Sequence, residues 1–129
     1  KINKNLDIKT KIGLYYNKSL QNIDDITTPI HKTKYAQNNY WVYGIVLGKK
    51  YKFNNSYVIK ELKNNNIESR PFFWPIHKQP YFLKKNQFKK LSLPISEYLG
   101  KKGFYIPCGF RTKLQECDKV VRALKKILN

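Results

Sequence analysis

Residues 67–81, which read IESRPFFWPIHKQPY, concentrate the side chains best suited to binding a ligand. They include Arg70, whose guanidinium fork suits phosphate groups, and His77, one of only two histidines in the chain. Each of the three prolines fixes its own φ and pushes the preceding residue towards extended geometry. The stretch is therefore predicted to form a short strand, at about residues 68–73, that runs into a stiff, non-helical loop.

Alternate side chains of a strand share one face of its sheet. We therefore expect Arg70 and Phe72 to point to one side, and Ser69, Pro71 and Phe73 to the other. A rigid loop with arginine, histidine and aromatic rings at the edge of a scaffold is a common way to present a binding surface. The alternative is a proline-rich turn whose aromatic rings fill the core. Residue types alone leave the two interpretations open.

Hydrophobic periodicity predicts the elements that must position this stretch. Helices are expected at about residues 10–23, 54–66, 93–99 and, capped by Thr112, 112–128. Two more strands are expected at 40–47, where YWVYGIVL reads as a buried central strand, and at 104–107. Residues 30–39 are expected to form a loop with His31 exposed, and residues 84–90 to be basic and exposed. This order of elements predicts helices layered against a small sheet in one α/β or α+β unit.

The chain of 129 residues has a formal charge of +18, which raises the possibility of a nucleic-acid partner. The arginines are only Arg70, Arg111 and Arg122, and the remaining positive charge is lysine, spread over several segments. Lysine accompanies abundant Asn, Ile, Tyr and Phe, whose A/T-rich codons suggest a compositional bias of the genome. Lysine also lacks the bidentate fork of arginine. Solvated surface is therefore the preferred interpretation, and nucleic-acid binding is the alternative.

The two cysteines, Cys108 and Cys117, have no second pair or nearby histidine at ligand spacing, so no metal site is expected. We interpret them as two small core residues. No apolar run approaches the roughly 20 residues of a membrane span, and a cytoplasmic location is expected. The sequence begins at Lys1 and contains no Met, so we expect a processed N terminus or a longer protein.

Three runs of sequence, NNYWVYGIVL, NNIESRPFFWPIHKQPY and ISEYLGKKGFYIPCG, together resemble one protein family. They are similar to the C-terminal domain of the DegT/DnrJ sugar aminotransferases, and within that family to enzymes of the GDP-perosamine synthase type. The resemblance spans residues 12–128. RPFFWPIHKQP is its most specific segment.

The resemblance implies the small C-terminal domain of the aspartate aminotransferase-type fold, with about three antiparallel strands flanked by helices. Residues 1–129 would be one domain, in which a leading helix (1–25) precedes a small α/β part (38–129). The large domain that binds pyridoxal phosphate would be absent from this chain. The implied partners are a nucleotide sugar, glutamate and a second subunit in a homodimer, with a role in polysaccharide biosynthesis.

By the same resemblance, Arg70, Phe72 and His77 would bind substrate at the edge of the active site. Arg70 would meet a nucleotide phosphate, the glutamate carboxylate or an acidic partner side chain. His77 would bind substrate or hold the loop, and both roles stay open. No catalytic residue is expected, because the Schiff-base lysine of the family lies in the large domain, so the chain alone should be inactive. The alternatives are a basic module for nucleic acid or anions and a regulatory relative of a complete enzyme.

Overall fold

A computed structural model describes residues 2–85, 88 and 91–129 of the chain. Within these residues the helices and strands follow in this order: α1 (Ile2–Leu20), β1 (Ile26–Thr27), β2 (Tyr43–Leu47), α2 (Asn55–Asn64), β3 (Arg70–Pro71), a 3₁₀ turn (Ile76–Lys78), α3 (Pro80–Lys84), α4 (Pro94–Lys102), β4 (Gly103–Ile106) and α5 (Leu114–Leu128).

The strands form one antiparallel sheet in the order β1-β2-β4-β3. The predicted class, an antiparallel sheet flanked by helices, is confirmed, but the sheet has four strands where about three were expected. The additional strand, β1, pairs Ile26 and Thr27 with Leu47 and Val46 of β2. A pair of residues has no periodicity to detect, so the sequence pattern does not reveal this strand.

The core lies on one face of the sheet, between β2, β4 and three helices. Tyr43, Ile45 and Leu47 of β2 are buried there, whereas Gly44 and Val46 are half-buried on the opposite face, as the alternation of a strand requires. The helices contribute these buried residues: Ile12, Tyr16, Leu20, Val58, Leu62, Cys117, Val121, Leu124 and Leu128. We call the other face, with Gly44, Val46 and Tyr105, the open face of the sheet.

The strand predicted at residues 40–47 begins only at Tyr43, because the backbone turns sharply before it. Tyr40 has a positive φ of 50°, a conformation that no strand contains. The side chains of Asn38 and Asn39 accept hydrogen bonds from the backbone N–H groups of Tyr40 and Trp41, at 2.7 and 3.0 Å. These two local turns compete with strand geometry, as asparagine commonly does.

The predictions for the first 40 residues need two corrections. Helix α1 begins at Ile2, well before residue 10, and ends at Leu20, before the expected stop at residue 23. His31 is half-buried instead of exposed, because its ring stacks on Tyr40 with centroids 5.9 Å apart.

The proline-rich segment is partly helical, contrary to the expected non-helical loop. The strand predicted at 68–73 is reduced to Arg70–Pro71, and the 3₁₀ turn and helix α3 follow it. Pro80 occupies the first turn of α3, where the missing N–H of proline has no cost. In the basic segment 84–90, the described residues Lys84, Lys85 and Phe88 are exposed. Residues 86, 87, 89 and 90, like residue 1, lie outside the described part.

Helix α5 starts one residue later than predicted. Its N-cap is Lys113, whose backbone N–H donates to Oε2 of Glu116 at 2.6 Å. The Oγ1 of Thr112 instead accepts a hydrogen bond from the backbone N–H of Gly109, at 3.1 Å. The apolar spacing of this helix predicts that Leu114 is buried, but the residue is exposed. Cys108 and Cys117 are buried free thiols, so their interpretation as core residues is confirmed.

Candidate substrate-binding site

Arg70 lies on β3, an edge strand of the sheet. Its strand partner is Tyr105 of β4, and Pro71 pairs with Phe104. The residue is exposed, and among the described residues no carboxylate forms a salt bridge with its guanidinium. Because Arg70 and Tyr105 are directly paired, the backbone of Arg70 is held in register with the sheet while its charge stays available.

Phe72 lies flat on the open face of the sheet, where glycines make room for it. Its ring stacks on Tyr105, with centroids 4.6 Å apart and planes at 27°. A Cβ atom at Gly44 would come within 2.8 Å of the ring, and one at Gly103 would overlap it. The backbone N–H of Phe72 also donates to the carbonyl of Gly103 at 3.0 Å. Glycine inside a strand often marks such a close approach.

The alternation predicted for this strand fails at Phe73. Phe72 and Phe73 were expected on opposite faces, yet both rings contact Tyr105, Phe73 edge-on at 6.3 Å. The strand ends at Pro71, so the two-residue period no longer governs the side chains beyond it. Phe73 is 79% exposed and is available to a ligand or to another protein surface.

His77 is buried, with only 4% of its surface exposed, in the 3₁₀ turn that follows Pro75. Its Nε2 lies 3.1 Å from Oε1 of Glu97 on α4. The same oxygen accepts from the backbone N–H of Leu93 at 3.3 Å and faces Nζ of Lys78 at 3.3 Å. The hydrogen bond with His77, supported by these two groups, lowers the pKa of Glu97 to about 2. Glu97 is therefore ionised, and in this structure His77 ties the proline-rich segment to α4.

Arg70 and Phe72 line one groove, which we call the α2–β3 groove, of about 770 Å³. Six of the residues that line it are Lys60 and Lys63 of α2, and Arg70, Phe72, Phe73 and Trp74. His77 is not among its lining residues. The structure thus brings together two of the three predicted binding residues and places the third beneath the segment that carries them.

Three further residues line this site that were not among the predicted binding residues. Lys60 and Lys63 are three positions apart on α2, so they lie on the same exposed side of the helix. Trp74 is 50% exposed, and its indole N–H donates to the carbonyl of Lys78 at 3.1 Å, which fixes the ring. The spacing of the lysines was a usable signal, but only the fold shows that they line the same groove as Arg70.

Comparisons with known proteins identify the family of the chain. The model of the DegT/DnrJ/EryC1/StrS aminotransferase family matches residues 1–125. The chain belongs to this family.

One curated relative is the GDP-perosamine synthase of Caulobacter vibrioides, which is 26% identical over 128 residues, covering 99% of this chain and 34% of the relative. Among solved structures, Helicobacter pylori PseC, an aminotransferase involved in the biosynthesis of pseudoaminic acid, matches with a TM-score of 0.81 at 16% identity, over 95% of this chain and 32% of that one. Spr1654 of Streptococcus pneumoniae, in a PLP form, matches with a TM-score of 0.80 at 15% identity, over 96% and 32% of the two chains. These structures share the fold, and the chain spans about a third of the length of the curated relatives it matches.

The described residues do not fit a covalent anchor for pyridoxal phosphate. A Schiff-base lysine has to be held in a desolvated site beside the cofactor. The half-buried lysines of the described part already have polar partners. Lys9 and Lys102 donate hydrogen bonds to backbone carbonyl groups, and Lys78 forms a salt bridge with Glu97. Every other described lysine is exposed. No step of an amino transfer can therefore be assigned to a lysine of this part of the chain.

Among the described residues, no group of three or more His, Cys, Asp or Glu side chains is placed to hold a metal ion. None of the helices in the same part of the chain has the length and apolar character needed to cross a membrane.

Proposed function

We propose that this chain is the C-terminal part of a PLP-dependent nucleotide-sugar aminotransferase. The reaction would move an amino group from glutamate to a 4-keto-6-deoxy sugar nucleotide of the perosamine type, for surface polysaccharide biosynthesis. The observation that carries the proposal is the family match over residues 1–125, supported by the GDP-perosamine synthase that aligns with 99% of the chain. The cofactor would be held by a large domain outside these residues, in a cytoplasmic homodimer.

In this proposal Arg70 and Phe72 bind substrate. Arg70 offers a guanidinium that forms no salt bridge with any described residue, at the rim of the α2–β3 groove, and a guanidinium can clamp a phosphate or carboxylate with two hydrogen bonds. Phe72 forms a rigid wall, since Tyr105 and the glycines beneath it fix its ring. His77, predicted to contact substrate or to hold the loop, would serve by positioning, because its Nε2 is engaged by Glu97.

The experiment uses the full-length protein with GDP-4-keto-6-deoxymannose and glutamate. Formation of the 4-amino sugar nucleotide, together with an equal amount of 2-oxoglutarate, is the expected result. The corresponding UDP-linked and dTDP-linked keto sugars are assayed in parallel. This is because a relative at 26% identity does not determine which nucleotide carries the sugar. Absence of amino transfer with all three keto sugars, in a protein that shows the visible absorbance of bound pyridoxal phosphate, would overturn the proposal.

A further inference from the structure

We propose that the α2–β3 groove binds the nucleoside diphosphate part of the substrate, with Lys60, Lys63 and Arg70 around the phosphate groups and the ring of Trp74 against the base. This inference rests on the proposed function and deepens it, because it assigns one part of the substrate to one groove. It adds three residues, Lys60, Lys63 and Trp74, to the predicted substrate-binding residues.

The charge of the groove favours a multiply charged anion. Lys60 and Lys63 project from one side of α2, Arg70 comes from β3, and all three residues line the same groove. No carboxylate is found among the described residues that line it, and none of the three cations takes part in a salt bridge with a described residue. A diphosphate carries several negative charges and can bind several cations at once. Three cations therefore match a diphosphate better than the single carboxylate of an amino acid.

The aromatic part of the groove favours a flat ring beside that anion. Trp74 is 50% exposed, yet it cannot turn freely, because its indole N–H is bonded to the carbonyl of Lys78. Its ring also lies against α4, where a Cβ atom at Gly100 would come within 3.9 Å of it and within 2.9 Å of Pro75. A fixed, exposed aromatic ring next to positive charge is the combination with which proteins stack bases and bind their phosphates.

The size of the groove agrees with this ligand. Its volume of about 770 Å³ lies within the roughly 300–1,000 Å³ typical of small-molecule sites. The walls are also preformed, since Phe72 is stacked on Tyr105 and packed over glycines. Binding would therefore require little ordering of the protein, which favours affinity.

The test measures GDP and guanosine binding to the full-length protein by isothermal titration calorimetry. In the Lys60→Gln/Lys63→Gln variant, the Kd for GDP should rise about tenfold, because two cation–phosphate contacts are lost. Guanosine, which has no phosphate, should bind this variant and the wild type equally. The control, Lys125→Gln/Lys126→Gln, removes the same charge from the last turn of α5 and should leave the Kd for GDP unchanged. Trp74→Leu should weaken both GDP and guanosine.

Two outcomes would overturn the inference. The first is an unchanged Kd for GDP in the Lys60→Gln/Lys63→Gln variant. The second is an equal rise of the Kd in the Lys125→Gln/Lys126→Gln control, because it would show that the net charge of the protein, and not a local contact, sets the affinity. The result is separable from the proposed function. A protein that binds GDP with the expected pattern but transfers no amino group would refute the function and support the groove. A protein that transfers amino groups, but whose Kd for GDP is unchanged in the Lys60→Gln/Lys63→Gln variant, would support the proposed function and refute the assignment of the nucleotide to this groove.

Discussion

Replacing Gly103 with alanine tests whether the glycines of the sheet exist to accommodate Phe72. Gly103 follows the last residue of α4 with φ −88° and ψ 140°, an extended conformation that alanine adopts without strain. The added methyl group would overlap the ring of Phe72. The ring cannot simply slide away, because Tyr105 is stacked against it with centroids 4.6 Å apart.

The size of the effect follows from two opposing terms. Inserting a methyl group into a packed site costs about 1–3 kcal/mol, and the lower half of that range applies because Phe72 is only half-buried. Replacing glycine with alanine restricts the unfolded chain and stabilises the folded state by about 0.4–1 kcal/mol. We expect Gly103→Ala to destabilise the chain by about 0.5–1 kcal/mol.

Gly109→Ala is the matched control, because its new methyl group would meet only Oγ1 of Thr112, at an ordinary 3.5 Å. This variant receives the entropic gain without the overlap and should be stabilised by about 0.4–1 kcal/mol. The two variants should therefore differ by about 1–2 kcal/mol in the free energy of unfolding.

The assay is urea unfolding of the chain, followed by tryptophan fluorescence, with the slope m checked for constancy. Adding Phe72→Ala should abolish the penalty of Gly103→Ala, and this double-mutant cycle assigns the penalty to that one pair. Equal stability of the Gly103 and Gly109 variants would refute the argument that the ring needs the missing side chain.

Three further predictions follow from the same structure. Glu97 stabilises the fold while it is ionised in the native state, so this contribution should be complete above about pH 4.5 and lost as the pH falls towards 2; Glu97→Gln should remove it from the pH dependence of the urea midpoint. Burial raises the pKa of the Cys108 and Cys117 thiols, so both should react slowly with a disulfide reagent in the native chain and quickly in urea, and fast native reaction would contradict their burial. Arg70→Ala in the proposed full-length enzyme should raise KM or lower kcat, with Arg122→Ala as an exposed-arginine control, and unchanged kinetics would remove Arg70 from the proposed site.

The sequence predicts β2 and α5 because each carries enough residues for a clear pattern. The continuous apolar run YWVYGIVL contains β2, which is indeed central in the sheet, and the helical spacing of apolar residues near the end of the chain gives α5. Elements too short for such a pattern were missed or misjudged. β1 has two residues, and the 3₁₀ turn and α3 together have eight, interrupted by Gln79.

The α2–β3 groove was less predictable than the helices and strands, because its lining residues are distant in the sequence. Arg70 and Phe72 could be singled out from their own segment. Their partners could not, since Gly103 and Tyr105 are brought to Phe72 only by the pairing of β3 with β4. The isolated Gly44 within a strand was a local sign that something packs closely there, but it does not say which residue does.

Both ends of the segment that carries Arg70, Phe72 and Trp74 are anchored to one rigid part of the fold. At the first end, Arg70 and Pro71 pair with β4. At the second, His77 is bonded to Glu97 of α4. Helix α4 ends at Lys102 and β4 begins at Gly103, so no loop separates the two anchors. The segment therefore cannot swing like a lid without breaking one of them. If substrate binding closes an active site in the proposed full-length enzyme, Arg70 and Trp74 should therefore move together with α4 and β4.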